Sequence, residues 1–236
     1  MVCRLVARPL CGILFLIAVS VPTYSQDMKF SVAVKGNFTT GSQLFPNPNS
    51  ADEFQRAQFF PIEDFFGYGV EIQYQIPETF LALGLSADYI RATISRSSGS
   101  ASAPPVKDGY RVIPVELTGY FLIPVSGPTF GVYMGGGVGG YFGRRIYEVA
   151  GVQAQTTDVG HGFGIHVLGG VKYRLTESFG LNLEMKFRDL QFKTTNEFTS
   201  SRVIYNGMVF SLPQGPFASR VHTDGVIFQL GASFSI

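Results

Sequence analysis

Residues 160–175 read GHGFGIHVLGGVKYRL, and their hydrophobic side chains fall on alternate positions. One face carries Phe163, Ile165, Val167, Val171, Tyr173 and Leu175, with Gly169 among them. The other face carries His166, Lys172, Arg174 and several glycines, with Leu168 as an apolar exception. A helix repeats every 3.6 residues and would mix these groups, whereas successive side chains of a strand point to opposite faces. The stretch therefore predicts a long β-strand with one apolar and one polar face.

Seven further segments show the same alternation of apolar and polar side chains. They are residues 28–38, 67–76, 80–93, 109–122, 130–147, 179–193 and 221–236. Short turns at 77–79, 124–128 and 176–178 alternate with long connections at 39–66, 94–108, 148–159 and 194–220. The long connections are rich in Ser, Asn, Gly and Pro, as loops are. Three tight turns and four long loops predict an all-β fold, an eight-stranded antiparallel up-and-down β-barrel.

The first 26 residues have the pattern of a cleaved signal peptide. Arg4 and Arg8 form a basic start, and an apolar run follows at residues 11–21. Eleven apolar residues are too few to span a bilayer as a helix, which needs about 20. Small residues then precede a plausible cleavage site near Ser25. The sequence thus predicts a signal peptide over 1–26 and a barrel over 27–236.

Composition narrows the possible functions of the predicted barrel. Both cysteines, Cys3 and Cys11, lie in the predicted signal peptide, so the mature chain would have no disulfide and no thiolate metal site. The formal net charge is +1, which gives no reason to expect nucleic acid or a strongly anionic membrane surface as a partner. Hydrophobic residues make up 45% of the chain, yet no apolar run reaches the length of a membrane-spanning helix.

The charges on the polar faces decide which face is enclosed. They belong to Lys29, Lys35, Glu71, Asp88, Glu116, Lys172, Arg174, Glu184, Lys186 and Arg188. The polar faces also hold most of the glycines, and the apolar faces are nearly free of charge. Small and ionic side chains suit a narrow interior, and long apolar side chains suit lipid, where the sheet must close on itself. A soluble barrel with its apolar residues inside is the alternative.

The enclosed charges have nearly balanced signs. Buried charges must be paired to offset their desolvation, so the balance predicts a salt-bridged plug. Lys172 and Lys186, across a hairpin from Glu184, are the best candidates for members of this network. Eight strands leave an interior that side chains just fill, which argues against a wide pore. A gated ion path, or a carboxylate pair with acid–base chemistry, is the alternative use of the same residues.

The mature chain resembles the eight-stranded outer-membrane β-barrel family that includes OmpA-type, OmpX-type and opacity-like barrels. The resemblance rests on IPVEL at 113–117, VYMGGGVG at 132–139 and GGVKYRL at 169–175. Membership implies a bacterial outer-membrane location and a lipid bilayer around the barrel. For this barrel we predict a structural or surface-interaction role exerted through four extracellular loops, with no catalytic or cofactor site; a narrow channel for ions or small solutes is an alternative.

The last strand resembles the assembly signal of such barrels. Gln229, Gly231, Phe234 and Ile236 match its order of polar, glycine, apolar and apolar positions. The resemblance implies insertion by the outer-membrane barrel assembly machinery, which would bind this strand. Ile236 departs from the family, where Phe is usual at the final position.

Other candidate sites carry weaker signals. Glycines 135, 137 and 140 fit a dinucleotide fingerprint, but the helix start that the motif needs does not follow. His161 and His166 should point to opposite faces of one strand, and no histidine spacing suits a metal.

A lipid-modifying enzyme remains an alternative. Its candidate rim residues are His161, His222, Ser200, Ser201 and Asp224.

Two loops contain apolar clusters. They comprise Phe59, Phe60, Phe65 and Phe66 in the first loop, and Val209, Phe210, Leu212 and Phe217 in the fourth. Exposed apolar clusters can mark binding surfaces. Rim packing, or extension of the strands beyond the bilayer, explains them equally well, so both interpretations stay open at this stage.

Overall fold

The computed structural model describes residues 30–96, 103–124 and 129–236. The predicted signal peptide and Lys29 lie outside the described residues, as do parts of two connections, 97–102 and 125–128.

The described residues form long strands and one short helix. The strands are β1 (Phe30–Phe45), β2 (Phe60–Gln75), β3 (Leu81–Arg96), β4 (Val106–Leu122), β5 (Phe130–Val149), β6 (Val152–Gln153), β7 (Gln155–Asp158), β8 (Gly160–Arg174), β9 (Phe179–Arg188), β10 (Leu190–Glu197), β11 (Arg202–Tyr205), β12 (Met208–Ser211), β13 (Phe217–Thr223) and β14 (Val226–Ser235). The helix is α1 (Glu53–Ala57). Within the described residues, no helix is long and apolar enough to cross a bilayer.

Eight strands close into an antiparallel barrel. Each of β1, β2, β3, β4, β5, β8, β9 and β14 pairs with the next in this order, and β14 pairs with β1 to complete the ring. The predicted eight-stranded fold is confirmed. Short connections lie at one end, here the turn end, and long ones at the other, here the loop end. Segments 179–193 and 221–236, predicted as single strands, are each divided in two, at Asp189 and at residues 224–225.

Apolar side chains point outward and ionic ones inward, as the alternation predicts. Leu83 and Leu117 on the outer wall are 48% and 53% exposed, whereas Glu116 and Arg188 on the inner wall are 0% and 4% exposed. Such a surface exposes far more contiguous apolar area than a soluble monomer tolerates. The soluble arrangement, with its apolar residues inside, is therefore wrong for this chain.

The strands extend well beyond their predicted ends on the loop side. β1 continues to Phe45 and β2 begins at Phe60, so much of the predicted loop 39–66 is strand. Asp64 has a φ of 53°, and the pairing between β1 and β2 skips it. Phe65 keeps the inward phase of Gly69 and Glu71, but Ile62, on the other side of Asp64, is also inward, which breaks the period of two. The extension was missed because the alternation fails at this point.

An apolar layer fills the inside of the barrel toward the loop end. Its members are Leu44, Ile62, Phe65, Ile90, Ala92, Tyr110, Val112, Tyr141, Leu190, Phe192 and Val221. β10 lies across the inner face of β8, because a Cβ on Gly162 would be 1.9 Å from the carbonyl oxygen of Gln191. The Phe192 ring occupies the space beside Gly143, where a Cβ would be 2.3 Å from it. Glycines thus let β10 narrow the barrel.

The loop end carries a small core of its own. It consists of Val149, Ala154, Phe198, Val203 and Leu212, against which Phe210 and Phe217 pack. In the first loop, Phe65 is buried and Phe60 packs against the apolar layer. Phe59, Phe66 and Val209 remain exposed. Most of the predicted apolar clusters therefore pack within the protein.

Candidate functional site

The enclosed charges form two groups, and the group nearer the turn end centres on Lys35. The Lys35 ammonium from β1 lies 2.8 Å from a Glu184 carboxylate oxygen and also pairs with Glu71. Tyr120 donates a hydrogen bond of 2.8 Å to Glu71, and Tyr133 donates one of 2.8 Å to Glu184. All five side chains are buried. One ammonium and two phenols thus donate hydrogen bonds to two buried carboxylates, as buried charges require.

The second group centres on Glu116 of β4. Its carboxylate accepts from the Lys186 ammonium at 2.9 Å and from Arg188 Nε at 2.6 Å. Arg188 also reaches Asp88 of β3 at 2.7 Å. Two cations face two carboxylates, and charge-assisted hydrogen bonds of this length are the strong kind. His166 lies beside the group and bonds through Nε2 to the Thr118 hydroxyl at 2.9 Å.

Glycines on the inner wall make room for these side chains. A Cβ on Gly139 would be 2.9 Å from Cγ of Glu116, and one on Gly170 would be 2.9 Å from Cγ of Glu184. A Cβ on Gly231 would be 3.0 Å from Cγ of Lys35. The glycines of the polar faces therefore provide the space that the charged side chains occupy.

Of the ten charged residues predicted to be enclosed, Lys29 lies outside the described residues, and seven meet in these two groups: Lys35, Glu71, Asp88, Glu116, Glu184, Lys186 and Arg188. Lys172 is half-buried, Arg174 is exposed, and neither forms an ion pair with a described residue. Lys186 is a member of the Glu116 group as predicted, and the strand register explains why Lys172 is not. Gly170 lies opposite Glu184, Lys172 lies opposite Asn182, and Lys186 pairs with Glu116 instead.

A third polar group, which the sequence pattern does not predict, lies near the loop end. Arg145 donates two hydrogen bonds to Asp108, from Nε at 2.9 Å and from Nη2 at 2.8 Å, and a third to Ser219 at 2.6 Å. Asp108 is the last residue of the predicted connection 94–108. Extending the predicted strand 109–122 by one residue would include it, in phase with Glu116, and this is the signal that could have found it.

The interior is layered from one end of the barrel to the other. Along β4 the inward residues run from Tyr120 through Glu116 to Tyr110 and Asp108. Tyr110 belongs to the apolar layer, so this layer separates the Glu116 group from the Asp108 group. The same order of charged group and apolar layer is found along β9 and β10. Arg188 of the Glu116 group ends β9, and Phe192 of the apolar layer follows it in β10, closer to the loop end.

The residues of the predicted assembly signal lie on both faces of β14 and the residue after it. Gln229 is buried and donates to the Asn37 side chain at 2.7 Å, and Gly231 lies beneath Lys35. Phe234 and Ile236 are exposed on the outer wall. This arrangement joins the last strand to the first. Recognition of these residues by an assembly machinery stays a prediction.

The alternative chemical sites are not assembled in the described part of the chain. His222 lies 3.3 Å from Asp189, and the Ser200 hydroxyl donates to the Arg202 carbonyl oxygen. His161 is exposed, whereas His166 is buried on the opposite face, as predicted. Residues after Gly140 continue β5, so no helix begins there. Among the described residues, no three His, Cys, Asp or Glu side chains are grouped as metal ligands.

Comparison with known proteins agrees with this architecture. The family model described as outer membrane protein beta-barrel domain matches residues 11–212. The outer membrane protein OprG from Pseudomonas aeruginosa has a similar structure, with a TM-score of 0.60, 14% identity, and coverage of 88% of this chain and 95% of that one. Neisserial surface protein A (NspA) gives a TM-score of 0.50, 12% identity, and coverage of 88% and 97%. A comparison with curated protein sequences finds no match.

Proposed function

Because the chain belongs to the family of outer membrane protein β-barrel domains and lies in the bacterial outer membrane, we propose that it is a non-conducting barrel with a surface-interaction role. In this proposal the turn end faces the periplasm and the loop end faces the exterior, as in other transmembrane barrels. The loop end carries the exposed face of the β11–β12 hairpin, where Ile204 is 72% exposed and Val209 is 61% exposed.

The order of the interior layers supports a closed barrel. Any ion that passes through must cross the apolar layer, whose Tyr110 and Phe192 rings lie edge to face with centroids 6.1 Å apart. An ion loses its hydration in such surroundings, at a cost that paired charges elsewhere do not offset. The Lys35 and Glu116 groups occupy the interior below this layer with charged side chains that already pair with one another.

Conductance across planar bilayers tests the proposal against a narrow channel. Wild-type protein, inserted at a density where a general porin gives clear current steps, should give none. A variant with Tyr110→Ala and Phe192→Ala should leak ions measurably, because it removes both rings from the layer. Discrete, voltage-stable current steps from the wild type would contradict a closed barrel and favour the channel.

We also infer that the barrel is not a catalyst and that its last strand is the assembly signal. The non-catalytic inference rests on the partners of His222 and Ser200. His222 lies beside Asp189, and the Ser200 hydroxyl donates to the Arg202 carbonyl oxygen, so the histidine and the serine are not hydrogen-bonded to each other. The assembly inference rests on the pattern from Gln229 to Ile236. Barrel yield in the outer membrane should fall for Phe234→Asp, since a charge would replace a lipid-facing ring.

A further inference from the structure

Three arginines stand side by side on the outer wall of the barrel. Arg91 of β3 lies opposite Arg111 of β4, and Arg111 lies opposite Arg144 of β5. All three are exposed, and none forms an ion pair or a ring contact with a described residue. Like charges directly opposite one another destabilise a sheet. Two such pairs in one row call for an anion that is not part of the barrel.

The arginine row marks the edge of the lipid-facing surface. Two residues closer to the turn end on the same strands lie Tyr89, Ile113 and Phe142. Ile113 and Phe142 are 45% and 48% exposed, and Tyr89 contacts Tyr68 in a pair of outer-wall aromatic rings. Aromatic side chains of this kind are typical of the membrane interface of barrels. The arginines therefore lie at the level of the headgroups in the outer leaflet.

A cavity of about 560 Å³ opens beside the row. The three arginines are among its lining residues, and so are Gln153 and Gln155. Glu148 is the one acid among the described lining residues, and Lys107 lies opposite it on β4. The net charge of the lining is thus strongly positive. Side-chain amides on the loop side can bond to sugar hydroxyls.

We propose that Arg91, Arg111 and Arg144 bind the phosphate groups of a phosphorylated glycolipid in the outer leaflet. Guanidinium groups bind phosphate with two parallel hydrogen bonds, which an ammonium cannot do. The position of the row favours a lipid over a soluble phosphate, because Ile113 and Phe142 continue directly below it as a surface for acyl chains. The ligand would neutralise the repulsion within the row.

Binding of bisphosphorylated lipid A to the full-length barrel in zwitterionic detergent tests this site. Native mass spectrometry would count bound lipid for the wild type and for a triple variant, Arg91→Gln, Arg111→Gln and Arg144→Gln. We expect the triple variant to bind roughly tenfold to a hundredfold more weakly, from the usual gain per basic residue at an anionic lipid surface. The single variant Arg111→Gln should show a smaller loss in the same direction, which keeps the test valid if the triple variant folds poorly.

Three controls separate the possible outcomes. A variant with Arg56→Gln, Arg174→Gln and Arg202→Gln removes the same charge from exposed sites outside the row and should bind like the wild type. Lipid A stripped of its phosphates should bind wild type as weakly as the triple variant binds intact lipid A. Equal binding by wild type and triple variant, or indifference to the phosphates, would overturn the proposal. Displacement by equimolar pyrophosphate would also overturn it, since the site would then take a soluble anion.

Discussion

At the scale of single residues, Glu116 links most of the charged side chains near the middle of the barrel. Its carboxylate holds Lys186 and Arg188, and Arg188 in turn holds Asp88. A buried ion pair contributes little more to the stability of the fold than apolar packing would. Removal of one partner is nevertheless costly, because the other charge is left buried and unpaired. The stability of the network therefore depends on every member being present.

Replacement of Glu116 by Gln should destabilise the folded barrel by about 3–5 kcal/mol, because it leaves two cations facing a single carboxylate. Urea titration of the protein in lipid vesicles, followed by heat-modifiable gel migration, measures this loss. The matched control is Glu177→Gln at an exposed turn, which should change the free energy of unfolding by less than about 0.5 kcal/mol. Equal stability of the two variants would show that the Glu116 pairs do not support the fold.

The face on which each charge lies could be predicted from the sequence, but the partner of each charge could not. Period two places Lys35 and Glu184 on the inner wall. Their contact depends on Gly231, over which the Lys35 side chain passes to reach β9. Lys172 lies on the predicted face too, yet it is near the turn end, where it is only half-buried and forms no ion pair with a described residue. Depth along the strand decides this, and alternation carries no information on depth.

At the scale of strands, β4 and β5 approach one another closely because of glycine. Gly137 faces inward, where a Cβ would lie 1.9 Å from the Leu117 carbonyl oxygen and 3.0 Å from the His166 ring. Gly169 faces outward on the neighbouring strand β8 and has no atom within 4 Å of such a Cβ. Both positions are glycine, but only Gly169 has room for a side chain.

Gly137→Ala should therefore destabilise the barrel by about 1–3 kcal/mol, since backbone atoms must move to admit the methyl group. Gly169→Ala should be neutral or stabilise it by up to about 1 kcal/mol, because Ala restricts the unfolded chain. Thermal or urea unfolding of the two variants, compared in the same vesicles, measures the difference. A larger loss for Gly169→Ala than for Gly137→Ala would contradict the close approach of β4 and β5.

The eight barrel strands could be predicted from alternation, whereas their extensions beyond the bilayer could not. Inside the bilayer one face must be apolar and the other polar along the whole strand. Strand residues beyond the bilayer do not have to keep an apolar outer face and a polar inner face. Ile62 turns inward beyond Asp64, against the phase of the rest of β2, and β11 and β12 form a separate two-stranded sheet. These features come from contacts between loops, and no short-range pattern reports them.

At the scale of the whole molecule, the barrel combines an outer surface made for lipid with an interior filled by paired charges and an apolar layer. The layer was not predicted, because Ile62 and Leu190 lie in segments where the inward face becomes apolar. Sequence alternation alone would label such residues as outward. The central claim concerns the part where alternation holds, namely that apolar side chains of the strands face lipid while ionic ones are enclosed.

A nitroxide scan along β3 tests this claim most directly. Single cysteines at positions 81–87, in a chain with Cys3→Ser and Cys11→Ser, would be spin-labelled after folding into vesicles. Collision with oxygen, which is concentrated in lipid, should be high at Leu81, Leu83, Leu85 and Ala87. It should be low at Ala82 and Ser86. A period of two with the opposite phase, or no period at all, would contradict the account.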